Sequence, residues 1–248
     1  MLSGCASGPE RVPAAKLAAT KRVGVISLTA QELHRQYTGV TVFGNEKDVL
    51  DIRDWRVDDA YEEQIAALIP RLGAFSAVKL DLDRKPFLPV YDINGPYDAP
   101  AFRTPKWTAV EVAFKDHAKK HDLDLIVVVI RRETGDYFTR SNQNIRGAGL
   151  YARGAGNSTG LSVLHLQSIL AVIDGETGKP LVSKWLAHTQ EAVGFGANIQ
   201  RAAPSISAPP ELSRTKTAEW TADQKSQLRA ALIELPRNAW EPTLRASF

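Results

Sequence analysis

The 248 residues are 44% apolar and 24% charged, the balance of a globular protein with enough chain for one large domain. The 31 basic and 28 acidic residues leave a net charge of +3 with no long basic run to follow a phosphate backbone, so no nucleic-acid partner is expected. No stretch reaches the roughly 18 uninterrupted apolar residues of a membrane-spanning helix, and the lone cysteine, Cys5, rules out an internal disulfide and a cysteine-based zinc site.

In chain order, residues 6 to about 20 are rich in Ala, Pro, Gly and Lys without periodicity and read as a flexible tether, so that residues 1–20 precede a single α/β domain over 21–248. Arg22 to Leu28 reads as a first strand. Tyr37 to Phe43 and Val49 to Arg53 alternate apolar with polar around Gly44 to Asp48 and predict a hairpin. Tyr61, Ile65, Leu68, Ile69 and Leu72 share one face of a helix from Val57 to Leu72, with acidic residues in its first turns and Gly73 beyond its end. Ala77 to Asp83 alternates as a strand with one wet side. Arg84 to Thr104 interleaves Pro86, Pro89, Pro96 and Pro100 with Phe87, Tyr91, Tyr97 and Phe102. Such a long connection reads either as a binding loop or as a cover for the core.

Thr104-Pro105 opens a helix on which Trp107, Val110, Phe114, Ala118 and His121 share a face. Leu123 to Ile130 has no polar face over its last residues and must be covered on both sides, which places it in the middle of a sheet. Arg131 to Asn144 is polar, and Gly147 to Gly160, with Tyr151 inside it, reads as a glycine-rich loop. Leu161 to Ile173 and Pro180 to Thr189 form a long hairpin about Asp174-Gly175-Glu176-Thr177-Gly178-Lys179. Residues 190–219 read as irregular. Thr221 and Gln224 form a capping box for a last helix, with Leu228, Leu232 and Leu235 on one face and Pro236 at its end. The fold expected is α/β (α+β), one mixed sheet with helices packed on it.

Two resemblances bear on function. Leu2-Ser3-Gly4-Cys5 resembles a bacterial lipobox, whose cysteine is acylated and becomes the mature amino terminus; the charged and apolar segments that precede such a motif would lie upstream of Met1. The order strand, hairpin, helix, strand, helix, buried strand, and the hairpin Leu170 to Trp185 with Asp174, Thr177 and Gly178 in its turn, resemble the small α/β domain of bacterial envelope lipoproteins. The curli-secretion lipoprotein and the amino-terminal domain of TolB belong to that group. The resemblance implies a membrane-anchored envelope protein facing the periplasm, held through acylated Cys5, that assembles with envelope proteins or its own copies and needs no cofactor. Its binding surfaces would be the aromatic loop, with Phe87, Tyr91, Tyr97 and Phe102, and the glycine-rich loop, with Tyr151. A soluble cytoplasmic binding protein is a third reading, open only if Met1 is the true start.

Catalytic patterns are thin. Gly156-Asn157-Ser158-Thr159-Gly160 matches the Gly-x-Ser-x-Gly elbow, and Asp174 and His188 follow in hydrolase order, but no buried strand leads in and no helix follows. Asp81 and Asp83, with Asp92, offer oxygen ligands near a strand end, and a periplasmic hydrolase using Ser158 or the two aspartates is the alternative to a binding role. His117 and His121 are spaced as two metal ligands would be, without a glutamate between them; as plain helix residues they border the apolar stripe. Gly147-Ala148-Gly149 opens no helix and so makes a poor phosphate cradle.

Overall fold

The computed structural model describes residues 11–39, 42–78, 80, 83–92, 105–154, 160–186, 189–192 and 199–248. The chain runs α1 (Ala14–Ala19), β1 (Arg22–Leu28), β2 (Glu32–Thr38), β3 (Glu46–Asp51), α2 (Val57–Leu68), β4 (Ser76–Val78), α3 (Pro105–His121) and β5 (Leu125–Arg131). The small hairpin β6 (Glu133–Gly135) and β7 (Asn144–Arg146) follows, then β8 (Ala148–Arg153), β9 (Ser162–Leu166), β10 (Ser168–Asp174) and β11 (Pro180–Trp185). The last part holds β12 (Thr189–Ala192), β13 (Ile199–Ala202), β14 (Ser205–Ser207), α4 (Pro210–Arg214), α5 (Ala222–Glu234) and α6 (Arg237–Ser247).

Mixed α/β structure is as expected, but the single sheet is not. Two five-stranded sheets, in the orders β11-β10-β5-β1-β4 and β14-β9-β8-β2-β3, share the chain with the two-stranded ribbons β6-β7 and β12-β13. The cause is that two stretches, each read as belonging to one sheet, cross between sheets. While β10 pairs with β5, the residues before it, β9, pair with β8 instead. At the crossing Gln167 donates its N–H to Gly147 O and accepts from Arg132 N–H, so the backbone groups at the break remain paired. The other crossing lies between β1 and β2, where the buried Asp58 at the start of α2 accepts from Ser27 Oγ, Thr29 N, Ala30 N and Gln31 Nε2.

β5 is central in the first sheet, as its sequence requires. Leu125, Val127 and Val129 face a large core shared with α2, α5, α6 and the inner side of the second sheet, through Leu33, Leu150, Leu164 and Leu166. Ile126, Val128 and Ile130 face a smaller core closed by α3 and by the 3-10 segment Lys85–Asp92. Alternate residues of one strand thus serve two cores.

Other expectations shift. The first hairpin exists, but its strands are Glu32–Thr38 and Glu46–Asp51, with Val42–Gly44 as a 3-10 turn between them. The helix from Val57 ends at Leu68, and Pro70 lies in the 3-10 turn Ile69–Arg71 that follows. The glycine-rich stretch contains β8, a buried strand, and the irregular stretch 190–219 contains β13, β14 and α4. Pro236 ends α5 and at once opens α6, which places the fully buried Trp240 edge-on to Tyr61. Part of the stretch read as a tether is packed on the body: Val12 is buried in the large core and its N–H reaches Ser247 O, while Lys16 pairs with Asp174 at 2.5 Å. Among the described residues no helix is long and apolar enough to cross a membrane.

Candidate binding groove

The second sheet has two differently covered faces. Leu33 and Arg35 of β2 point to the inner face, where Arg35, only 1% exposed, pairs with Glu46 and Asp48 of β3 and donates from Nη1 to Ser213 O of α4. His34, Gln36 and Thr38 alternate with them and point outward. On that outer face the β6-β7 hairpin folds back over β8 and β9, packing Ile145, Tyr137 and Phe138 on Tyr151 and Val163.

Asp136, between β6 and β7, holds the hairpin in shape. Its carboxylate accepts from Phe138 N, Thr139 N and Oγ1, Ser141 N and Oγ, and the Tyr151 hydroxyl at 2.7 Å. Burial works against the charge, but the bonds from Thr139, Ser141 and Tyr151 outweigh it and hold the pKa at about 2. Beside this, His34 of β2, Gly149 of β8 and His165 of β9 lie in one cross-strand row. Gly149 is required there, because a Cβ would come within 2.5 Å of the His165 ring and 3.0 Å of His34 O. Burial pushes His165 down to about 3, with His34 adding to the effect, so the ring is neutral at physiological pH.

Between the β2-β3 hairpin and the β6-β7 hairpin runs a groove of about 400 Å³. His34 and Gln36 line it from β2, Lys47 and Val49 from β3, Glu133 and Arg146 from the small hairpin, with the amides of Asn142, Gln143 and Asn144 along one rim. Arg146 and Glu133 are paired with each other, so the wall is polar with compensated charge. Four shielded polar atoms on this face of the sheet have no hydrogen-bond partner among the described residues: Gln36 Nε2 and His34 Nε2 on residues that line the groove, the latter coming only within 3.5 Å of the Glu32 carboxylate, and Thr38 Oγ1 and His165 Nδ1 on residues that do not. Each such atom costs about 1–3 kcal/mol unless something meets it. Phe43, at the tip of the adjacent hairpin, is 97% exposed.

The residues singled out in the sequence are spread through the molecule. Phe87 is buried, stacked on Phe114 with centroids 5.0 Å apart, and Tyr151 is buried with its hydroxyl on Asp136. Both rings cover apolar surface in this structure rather than present it. Tyr91 falls in the Lys85–Asp92 turn, and Cys5, Tyr97 and Phe102 lie outside the described residues. So do Asp81, Ser158 and His188. Asp174 is committed to Lys16 and to the Thr177 hydroxyl of its own turn, and exposed Asp83 accepts from Lys85 N. The groove was missed because its walls come from two hairpins about a hundred residues apart, and the polar run from Arg131 to Asn144 carried no periodicity.

No protein-family model matches the chain, and no curated protein matches it. Solved structures similar to it include the dodecamer of a PelC point variant from Paraburkholderia phytofirmans, at 11% identity over 97% of this chain and 93% of that one, with a TM-score of 0.33. Another is the lipoprotein GNA1162 from Neisseria meningitidis, at 9% identity over 86% of this chain and 96% of that one, with a TM-score of 0.32. At these TM-scores neither likeness establishes a shared fold.

Proposed function

We propose that this chain is a lipid-anchored protein of the bacterial cell envelope that works by binding an extended segment of a protein partner in the groove between its two hairpins. The address rests on Leu2-Ser3-Gly4-Cys5. The binding role rests on one observation, the cluster of shielded polar atoms on the outer side of β2 and β9 that have no partner among the described residues. A peptide laid along the groove would offer alternating N–H and C=O groups to His34 and Gln36 once their side chains turn outward, and the exposed Phe43 at the tip extends the contact surface. The Pro86 to Phe102 loop is a second contact surface in this reading, and the partner is another envelope protein or a second copy.

Two measurements test it. The mass of the mature amino-terminal peptide, from the native host and with upstream codons present, should show a diacylated or triacylated Cys5; an unmodified chain starting at Met1 removes the anchor. Because Cys5 is the only cysteine, Gln143→Cys introduces a unique free thiol at the groove once Cys5 is acylated. A photoreactive label there should crosslink an envelope protein or a second copy, while the same label at Lys225→Cys on α5 should not. Equal crosslinking from both positions, or none from the groove, overturns the binding reading.

A further inference from the structure

Away from the groove, α3 carries a second arrangement with chemical capacity. His117 and His121 lie one turn apart on the side of α3 that meets the Lys85–Asp92 segment, where the His117 and Phe87 rings meet edge to face with centroids 5.4 Å apart. The two imidazoles pack on each other at 4.5 Å between centroids. Both Nε2 atoms are shielded from solvent, and neither has a hydrogen-bond partner among the described residues. Two adjacent imidazoles leaving the same nitrogen unused is an unusual use of histidine, since a ring nitrogen kept from water normally finds a partner.

The spacing fits a shared ion. A metal ~2.1 Å from each Nε2 sits about 3.2 Å from each ring centre, and a roughly right-angled bite then puts the two centres about 4.5 Å apart. The observed separation is 4.5 Å. Among cations, two imidazole ligands select a late first-row divalent ion over Mg2+ or Ca2+, which require oxygen ligands.

We propose that His117 and His121 form a two-histidine chelate on α3 for a divalent late transition-metal ion, bound through both Nε2 atoms with water in the remaining positions. This site is separate from the groove and does not depend on the envelope reading. With only two protein ligands it is a site of modest affinity. The exposed Lys115, Asp116, Lys119 and Lys120 flank it without providing a neutral ligand.

The test uses the untagged chain and NiCl2 or ZnCl2 alone in isothermal titration calorimetry at pH 7.5. Saturable binding of one ion per chain is expected, weakened at least tenfold by either His117→Gln or His121→Gln and unchanged by His34→Gln. Circular dichroism verifies that each variant is folded. A measurement on the unaltered chain needs no substitution: in long-range 1H–15N spectra of the imidazoles, NiCl2 should broaden the His117 and His121 ring signals at lower metal concentration than those of the other histidines. Absence of binding at millimolar metal, binding that survives both substitutions, or broadening confined to other histidines overturns the proposal.

Discussion

At the scale of single residues, Asp136 and Gly149 carry the clearest consequences. The folded-state pKa of Asp136, about 2, lies below the ordinary carboxylate value of 3.8, so its contribution is fully present above pH 3.8 and is lost as pH falls through 2. Asp136→Asn should therefore lower stability by about 2 kcal/mol at neutral pH and flatten the fall in urea midpoint between pH 4 and pH 2. An unchanged acid limb would mean the carboxylate is not what holds the β6-β7 hairpin. Gly149→Ala forces a methyl group into the His165 ring and should cost about 1–3 kcal/mol. Adding His165→Ala removes the ring from that clash, so the double variant should lose less than the sum of the two single ones in denaturant unfolding. Strict additivity would show that the close approach of His34 O, rather than the ring, sets the cost.

At the scale of elements, α5 is secured by a reciprocal cap. Thr221 Oγ1 accepts from Gln224 N, and the Gln224 side chain accepts from Thr221 N. Thr221→Ala should lower stability by about 1 kcal/mol, seen as a shifted urea midpoint with an unchanged slope. This cap was readable in the sequence, as was β5, because a capping box and an all-apolar run each need only a few neighbouring residues to define them. β8 was not readable: Gly147, Gly149 and Gly154 suggest a loop, yet Gly149 is there to admit the His165 ring from the next strand. Nor was the break in the long strand legible. Gln167-Ser168 is a modest polar pair in the sequence, and only the partners waiting on each side, Gly147 O and Arg132 N, turn it into a passage between sheets. α6 was hidden by the double role of Pro236, which stops one helix and pre-sets the first turn of another.

At the scale of the whole molecule, the residues ahead of β1 belong to the body from at least Val12 onward. Removing residues 1–20 strips Val12 out of the large core along with the Lys16–Asp174 pair. The loss should be about 1.5–3 kcal/mol from the apolar burial of Val12 alone, measured as a lower midpoint of thermal and urea unfolding against the full chain. Surface ion pairs add little to this. An unaffected midpoint would restore the whole stretch to the status of a tether. The candidate groove is also a property of the whole: β2 and β3 form one wall, the hairpin that follows β5 forms the other, and neither has a binding signature of its own. Sequence alone predicts the first hairpin, with shifted strands, but neither the second hairpin nor the fact that the two face each other.

The contact between Val12 N–H and Ser247 O brings the two ends of the described chain side by side. A force drawn through residue 11 therefore runs first into the last turn of α6, across a seam where Val12 is held by one backbone bond and its core packing, and only then into β1. Such a seam yields by sliding rather than by peeling a sheet apart strand by strand. The strands behind it stay unloaded until it gives way.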